Sequence, residues 1–174
     1  MIRSLLKTLT LLAFLIFTLS RCALFTPMEG PHNPSRAGGA ASVTDKEAQK
    51  REEVIDYAKK YLGTPYRAAG KDPRGFDCSG FTGYVMKNFD VALSASSKYQ
   101  AKEGKKVDID DVRPGDLIFF KRTPASEVFH VAMVVRNGRQ GIEVIHSTSR
   151  GVVIDNISKS DYWKPKISLA RNVL

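Results

Sequence analysis

The run Gly75-Phe-Asp-Cys-Ser-Gly-Phe-Thr-Gly-Tyr-Val-Met-Lys-Asn-Phe89 decides the reading of the fold. Phe81, Tyr84, Val85 and Phe89 recur at i, i+3, i+4 spacing, which predicts a helix that starts around Cys78 and buries one apolar stripe. Upstream, Val54, Ile55, Tyr57, Ala58, Tyr61 and Leu62 keep largely the same period. The Thr44-x-x-Glu47 pattern resembles a capping box at the start of that helix, and Gly63 is placed to end it. Downstream, a third helix is expected over Ser94–Glu103, with Ser94 as cap and Gly104 as stop. After Gly104 the period changes to that of strands, expected at Val107–Ile109, Leu117–Phe120, His130–Val135, Ile142–Ser147, Val152–Ile154 and Ile167–Val173, with turns at Arg113-Pro-Gly-Asp116 and Asn137-Gly138. About three helices followed by about six short strands describe an α+β domain with an antiparallel sheet.

The 174 residues leave room for that domain and an N-terminal appendage. At 43% hydrophobic and 26% charged, the composition belongs to a globular chain that can bury a core. Arg3 and Lys7 precede an uncharged stretch from Thr8 to Ser20 whose 13 residues fall short of the roughly 20 needed to span a bilayer. Residues 1–22 therefore read as an export signal. Its end, Leu19-Ser-Arg-Cys22, resembles a bacterial lipobox, with Arg21 where the pattern has a small residue, so Cys22 is the candidate site of lipidation and membrane anchoring. Residues 23–43 carry Pro27, Pro31, Pro34, Gly30, Gly38 and Gly39 without hydrophobic period, and read as a flexible tether. The domain is then 44–174.

Arg3, Lys7 and Arg21 account for three of the net +9 charges. No stretch joins five or more clustered Lys or Arg to interleaved aromatics, which argues against a nucleic-acid partner, and attraction to an anionic envelope polymer explains the basic balance equally well.

Cys22 and Cys78 could form one disulfide in an oxidising compartment, but each has a distinct setting. A thiol in the first turn of a helix lies near the positive end of the helix dipole and beside unpaired N–H groups, which favour the thiolate and can hold the oxygen of a tetrahedral intermediate. A nucleophile so placed needs a base. His32 falls in the tether. His130 opens the strand His130-Val-Ala-Met-Val-Val135, and His146 lies near the end of Ile142-Glu-Val-Ile-His-Ser147. A hairpin closed around Asn137-Gly138 pairs residues whose numbers sum to about 276, and a regular ladder then puts both histidines on one face. This makes His130 the base for Cys78 and His146 its orienter. Two plainer readings compete: Cys78 as a small buried hydrophobe, and a zinc site, for which the close C-x-x-C or H-x-x-x-H spacings are missing.

Five blocks in order, Gly63-Thr-Pro-Tyr-Arg67, Gly75-Phe-Asp-Cys-Ser-Gly-Phe81, Val112-Arg-Pro-Gly-Asp-Leu-Ile-Phe-Phe120, His130-Val131 and Val144-Ile-His146, resemble the NlpC-type family of papain-like cell-wall cysteine peptidases. Between them, Leu93-Ser-Ala-Ser-Ser-Lys-Tyr-Gln100 is a partial match in which Ser97 and Gln100 fit. The resemblance implies a papain-like fold and hydrolysis of amide bonds in peptidoglycan stem peptides, commonly D-glutamyl-diaminopimelate. It makes Cys78 the nucleophile, His130 the base and His146 the third polar residue, and it places Tyr66 beside the oxyanion site. Asp77, Ser79 and Arg67 become substrate-binding candidates. No metal and no organic cofactor are implied. An amidase, transpeptidase or acyltransferase acting on another envelope substrate remains an alternative within enzymes. Outside them stands a lipoprotein that binds wall peptides or scaffolds wall enzymes without catalysis.

Overall fold

A computed structural model describes residues 42–174; the export signal, Cys22 and residues 23–41 of the tether lie outside the described residues. Helix α1, Val43–Lys59, begins one residue ahead of the expected Thr44. Ser42 is its cap: the Ser42 Oγ accepts the Asp45 amide at 3.2 Å, and the Asp45 carboxylate accepts the Ser42 amide at 3.1 Å. The capping box therefore falls on Ser42 and Asp45. Glu47 is drawn away from Thr44 by two guanidinium groups, Arg51 at 3.2 Å and Arg113 at 2.9 Å. Val54, Ile55 and Ala58 are the buried apolar face of α1. Gly63, at φ 82°, completes the turns that follow and donates its N–H to the Val152 carbonyl at 2.9 Å.

Strands β1 (Lys71–Asp72) and β2 (Gly75–Phe76) form a short hairpin that delivers the chain to helix α2, Cys78–Lys87. Asp77 caps α2, its carboxylate accepting the Gly80 amide at 2.6 Å. Phe81, Val85 and Met86 are fully buried. A Cβ at Gly80 would lie 1.9 Å from the Gly70 carbonyl oxygen, so the first turn of α2 rests against the loop before β1 because residue 80 has no side chain.

The third helix is one turn, α3, Ser97–Gln100, instead of the expected Ser94–Glu103. Ser94 does not cap it. The Glu103 carboxylate takes the Ser94 amide and hydroxyl and closes the segment into a loop. Inside that loop the Gln100 amide donates to the carbonyls of Ser79 and Ser94 and accepts from the Thr82 hydroxyl, which pins the loop to α2.

Six antiparallel strands follow in the spatial order β3-β8-β4-β5-β6-β7: β3 Lys105–Val107, β4 Leu117–Lys121, β5 Val128–Gly138, β6 Gly141–Thr148, β7 Gly151–Asn156 and β8 Ile167–Asn172. The expected strand at Val107–Ile109 shifts to Lys105–Val107, where the backbone pairs with β8 from Asn172 to Ala170, and Ile109 enters a short 3-10 turn. Leu117, Phe119, Val131 and Met133 pack toward the helices, while Ile118, Phe120, Ala132 and Val134 build a second cluster on the other face. Burial on both faces explains why β4 and β5 read as apolar runs without alternation. No helix among the described residues is long and apolar enough to cross a membrane.

The β5–β6 hairpin turns at Arg139-Gln140, not at Asn137-Gly138, which stays within the ladder as Gly138↔Gly141 and Asn137↔Ile142. The Asn137 side-chain amide donates to the carbonyls of Asp110 and Val112, a tertiary role that replaces a turn role. A two-residue tip sets an odd register, which would put two even-numbered residues of opposite strands on opposite faces. An extra residue, Val135, lies between the pairs Arg136↔Glu143 and Val134↔Val144 and restores the even register. His130 and His146 share a face because of that bulge.

Candidate active site

The ladder between β5 and β6 ends at Met133↔Ile145, and the strands part beyond it. His130 and His146 therefore lie past the end of the regular ladder on which the sequence reading had placed them opposite one another. The start of α2 sits at this opening. Ser147 Oγ donates to the carbonyl of Phe76 at 2.7 Å, and the backbone N–H of Val131 is near enough to favour the Cys78 thiolate. Cys78, His130 and Tyr66 thus line one cleft of about 790 Å³, together with Trp163, Phe129 and Arg122.

His130 Nε2 and His146 Nδ1 are 3.0 Å apart. His130 is 7% exposed and His146 fully buried. Trp163 covers the His130 ring at a centroid distance of 4.7 Å and an interplanar angle of 28°. This burial, with His146 as a neighbour, pushes the His130 pKa down to about 3. Burial also lowers His146, opposed by the nearby Asp155 carboxylate. Burial pushes the Cys78 thiol up; the N–H groups of Val131, Ser79 and Cys78 pull it down, and the Asp77 carboxylate adds to the upward push. The resting site is accordingly a thiol beside a neutral imidazole. The helix start does not by itself yield the thiolate that the sequence reading expected, because desolvation outweighs it.

His146 has a second partner that the sequence reading missed. Its Nε2 lies 3.0 Å from Asp155 Oδ2, and the same oxygen accepts a hydrogen bond from Arg150. β6 and β7 pair as His146↔Val153 and Val144↔Asp155 around a Ser149-Arg150 tip, so Asp155 stands one pair along from His146 on one face. Partial burial works to raise Asp155, but His146 and Arg150 outweigh it and hold the carboxylate below its ordinary range.

The remaining candidates are distributed around this centre. Tyr66, half exposed, stands at the mouth of the cleft and bridges to Phe76. Asp77 is committed to the α2 cap and accepts from the Ser79 hydroxyl at 3.1 Å. Ser79 is buried at 6% exposure and lines an adjoining cavity of about 660 Å³ with Tyr84, Leu93 and Ala95, on the far side of α2 from the Cys78 cleft. Arg67 lies outside both linings and pairs with Asp72 at 3.0 Å. Among the described residues, no group of three or more His, Cys, Asp or Glu side chains is arranged to hold a metal ion.

Residues 63–172 match the NlpC/P60 family. The chain is 38% identical over 123 residues to the probable endopeptidase NlpC of Escherichia coli, an alignment covering 68% of this chain and 75% of that protein. It is 36% identical over 124 residues to the gamma-DL-glutamyl hydrolase of Bacillus subtilis, covering 69% of this chain and 29% of the other. The NlpC/p60 domain of the peptidoglycan hydrolase SagA superposes with a TM-score of 0.59 at 30% identity, covering 70% of this chain and 97% of that domain.

Proposed function

The chain belongs to the NlpC/P60 family, and on that premise we propose that it is a cell-wall cysteine endopeptidase that hydrolyses an amide bond in peptidoglycan stem peptides, the D-glutamyl-diaminopimelate bond being the favoured one. The observation that carries the proposal is the convergence of Cys78, at the start of α2, and His130 on one cleft, with the buried His146 hydrogen-bonded to His130. His130 Nε2 is engaged with His146, so Nδ1 is the ring nitrogen left to serve the thiol.

In this mechanism Nδ1 of His130 takes the Cys78 proton as sulfur attacks the scissile carbonyl. The N–H groups at the start of α2 stabilise the oxyanion, with Tyr66 beside them. The imidazolium then protonates the departing amine, and water, deprotonated by the same nitrogen, cleaves the thioester. Removal of the Cys78 proton costs less than the raised thiol alone implies, because the imidazolium that forms sits beside the thiolate. Arg122 and Arg150 at the rim of the cleft suit a substrate rich in carboxylates, as a wall stem peptide is.

The endopeptidase name of one relative and the gamma-DL-glutamyl hydrolase name of another support amide hydrolysis at a γ-glutamyl linkage, and the intact cysteine and histidine set argues against a purely binding role. The same reading has the protein exported and anchored through a lipid at Cys22. The catalytic assignment is tested with purified muropeptides: Cys78→Ala is expected to abolish cleavage while keeping the native circular dichroism. Undiminished turnover by the folded variant would defeat it.

A further inference from the structure

We infer that Asp155 is a positioning residue of this site, which fixes the tautomers of both imidazoles and so leaves His130 Nδ1 as a bare acceptor for the Cys78 proton. The inference rests on the reading of Cys78 and His130 as the reactive pair, and it adds to that reading a residue on the neighbouring hairpin.

The argument is one of donors and acceptors. An ionised carboxylate only accepts hydrogen bonds, so the proton in the 3.0 Å contact between His146 Nε2 and Asp155 Oδ2 resides on the histidine. Arg150 only donates, and its hydrogen bond to the same oxygen holds the carboxylate in its ionised, accepting form. A neutral imidazole carries one N–H, so His146 Nδ1 is a lone pair. It can only accept from His130 Nε2, 3.0 Å away. The proton of His130 is thereby placed on Nε2 and its Nδ1 is left bare. Burial of both rings disfavours the alternative in which either carries two protons. Without Asp155 this order has no anchor, since the other charged group acting on His146 is the Arg150 guanidinium, which can only donate. That group favours the reverse order, in which His146 Nδ1 donates to His130 Nε2 and the His130 proton moves to Nδ1, the nitrogen assigned to serve the thiol.

The test is the imidazole nitrogen spectrum of the full chain labelled with nitrogen-15, combined with the rate at which iodoacetamide alkylates Cys78 near neutral pH. The wild-type chain is expected to show both His130 and His146 protonated at Nε2. Asp155→Ala is expected to move both protons to Nδ1 and to slow alkylation at least about tenfold, a part of the roughly hundredfold or more that a full general-base effect supplies. Asp155→Asn, which keeps an accepting oxygen, is expected to restore the wild-type tautomers and most of the rate. A wild-type His146 protonated at Nδ1 overturns the inference, as does an Asp155→Ala chain with unchanged spectrum or unchanged alkylation. The wild-type spectrum decides even if the alanine variant does not fold. Neither readout uses a wall peptide, so failure of muropeptide cleavage by the wild type would sink the substrate assignment alone, and unchanged tautomers would sink this inference alone.

Discussion

Lowering the pH should destabilise this protein through His130 before its depressed carboxylates titrate. In the folded chain burial under Trp163 and the proximity of His146 bring His130 from 6.5 to about 3. The unfolded chain, with an ordinary imidazole, binds a proton that the folded chain refuses. The stability contributed by neutral His130 is therefore fully present above the unfolded value and is lost as pH falls toward the folded one. At about pH 4.5 the gap of two units below the ordinary value corresponds to about 2.7 kcal/mol, at about 1.36 kcal/mol per unit. His146, lowered by burial, acts in the same direction. The depressed carboxylates of Glu47, Asp72 and Asp155 also lose stability on acidification, but below their own ordinary range. Urea unfolding followed by the fluorescence of Trp163, the one tryptophan of the chain, measures the effect at about pH 7 and pH 4.5 in wild type and His130→Gln. The wild type should lose about 2–3 kcal/mol more than the variant over this window. Equal losses in the two proteins would refute the claim that His130 is held neutral by burial. The same displacement means that kcat/KM for a peptide substrate should show no inflection at the ordinary histidine value.

Trp163→Ala wets one face of the His130 ring, so the acid limb of kcat/KM should move upward by about one pH unit or more, toward the ordinary value; a limb that stays where it is in wild type would deny Trp163 that role. Cys22→Ser should release the protein from the membrane fraction of its host, and retention of the variant would rule out lipid anchoring at that cysteine.

Much of the architecture was legible because it rests on local periodicity. The α2 stripe of Phe81, Tyr84 and Val85 and the apolar runs of β4 to β6 follow from side-chain spacing alone. What sequence alone did not yield depends on contacts between distant segments. Ser94 and Glu103 look like a helix start and a helix residue, but they are bound to each other across a loop around Gln100. Asn137 has the chemistry of a turn residue and instead holds two carbonyls from the segment before β4. The shared face expected from a turn at Asn137-Gly138 holds with a tip two residues further on, because the bulge at Val135 supplies the parity that a regular ladder with that tip would lack. Asp155 gave no signal beyond a polar residue just past the strand expected at Val152–Ile154. Finding it requires the β6–β7 register, which a two-residue Ser149-Arg150 tip ahead of Gly151 would have suggested. The expectation that the helix start activates Cys78 left out the desolvation that only the closed cleft reveals.

The central claim is that Cys78 cuts an amide bond inside a peptidoglycan stem, and mass spectrometry of muropeptides incubated with the purified chain and with its Cys78→Ala variant addresses it directly. The account predicts products split between D-glutamate and diaminopimelate with the wild type and intact stems with the variant. Stems left whole by the wild type, or cut equally by both proteins, would contradict it.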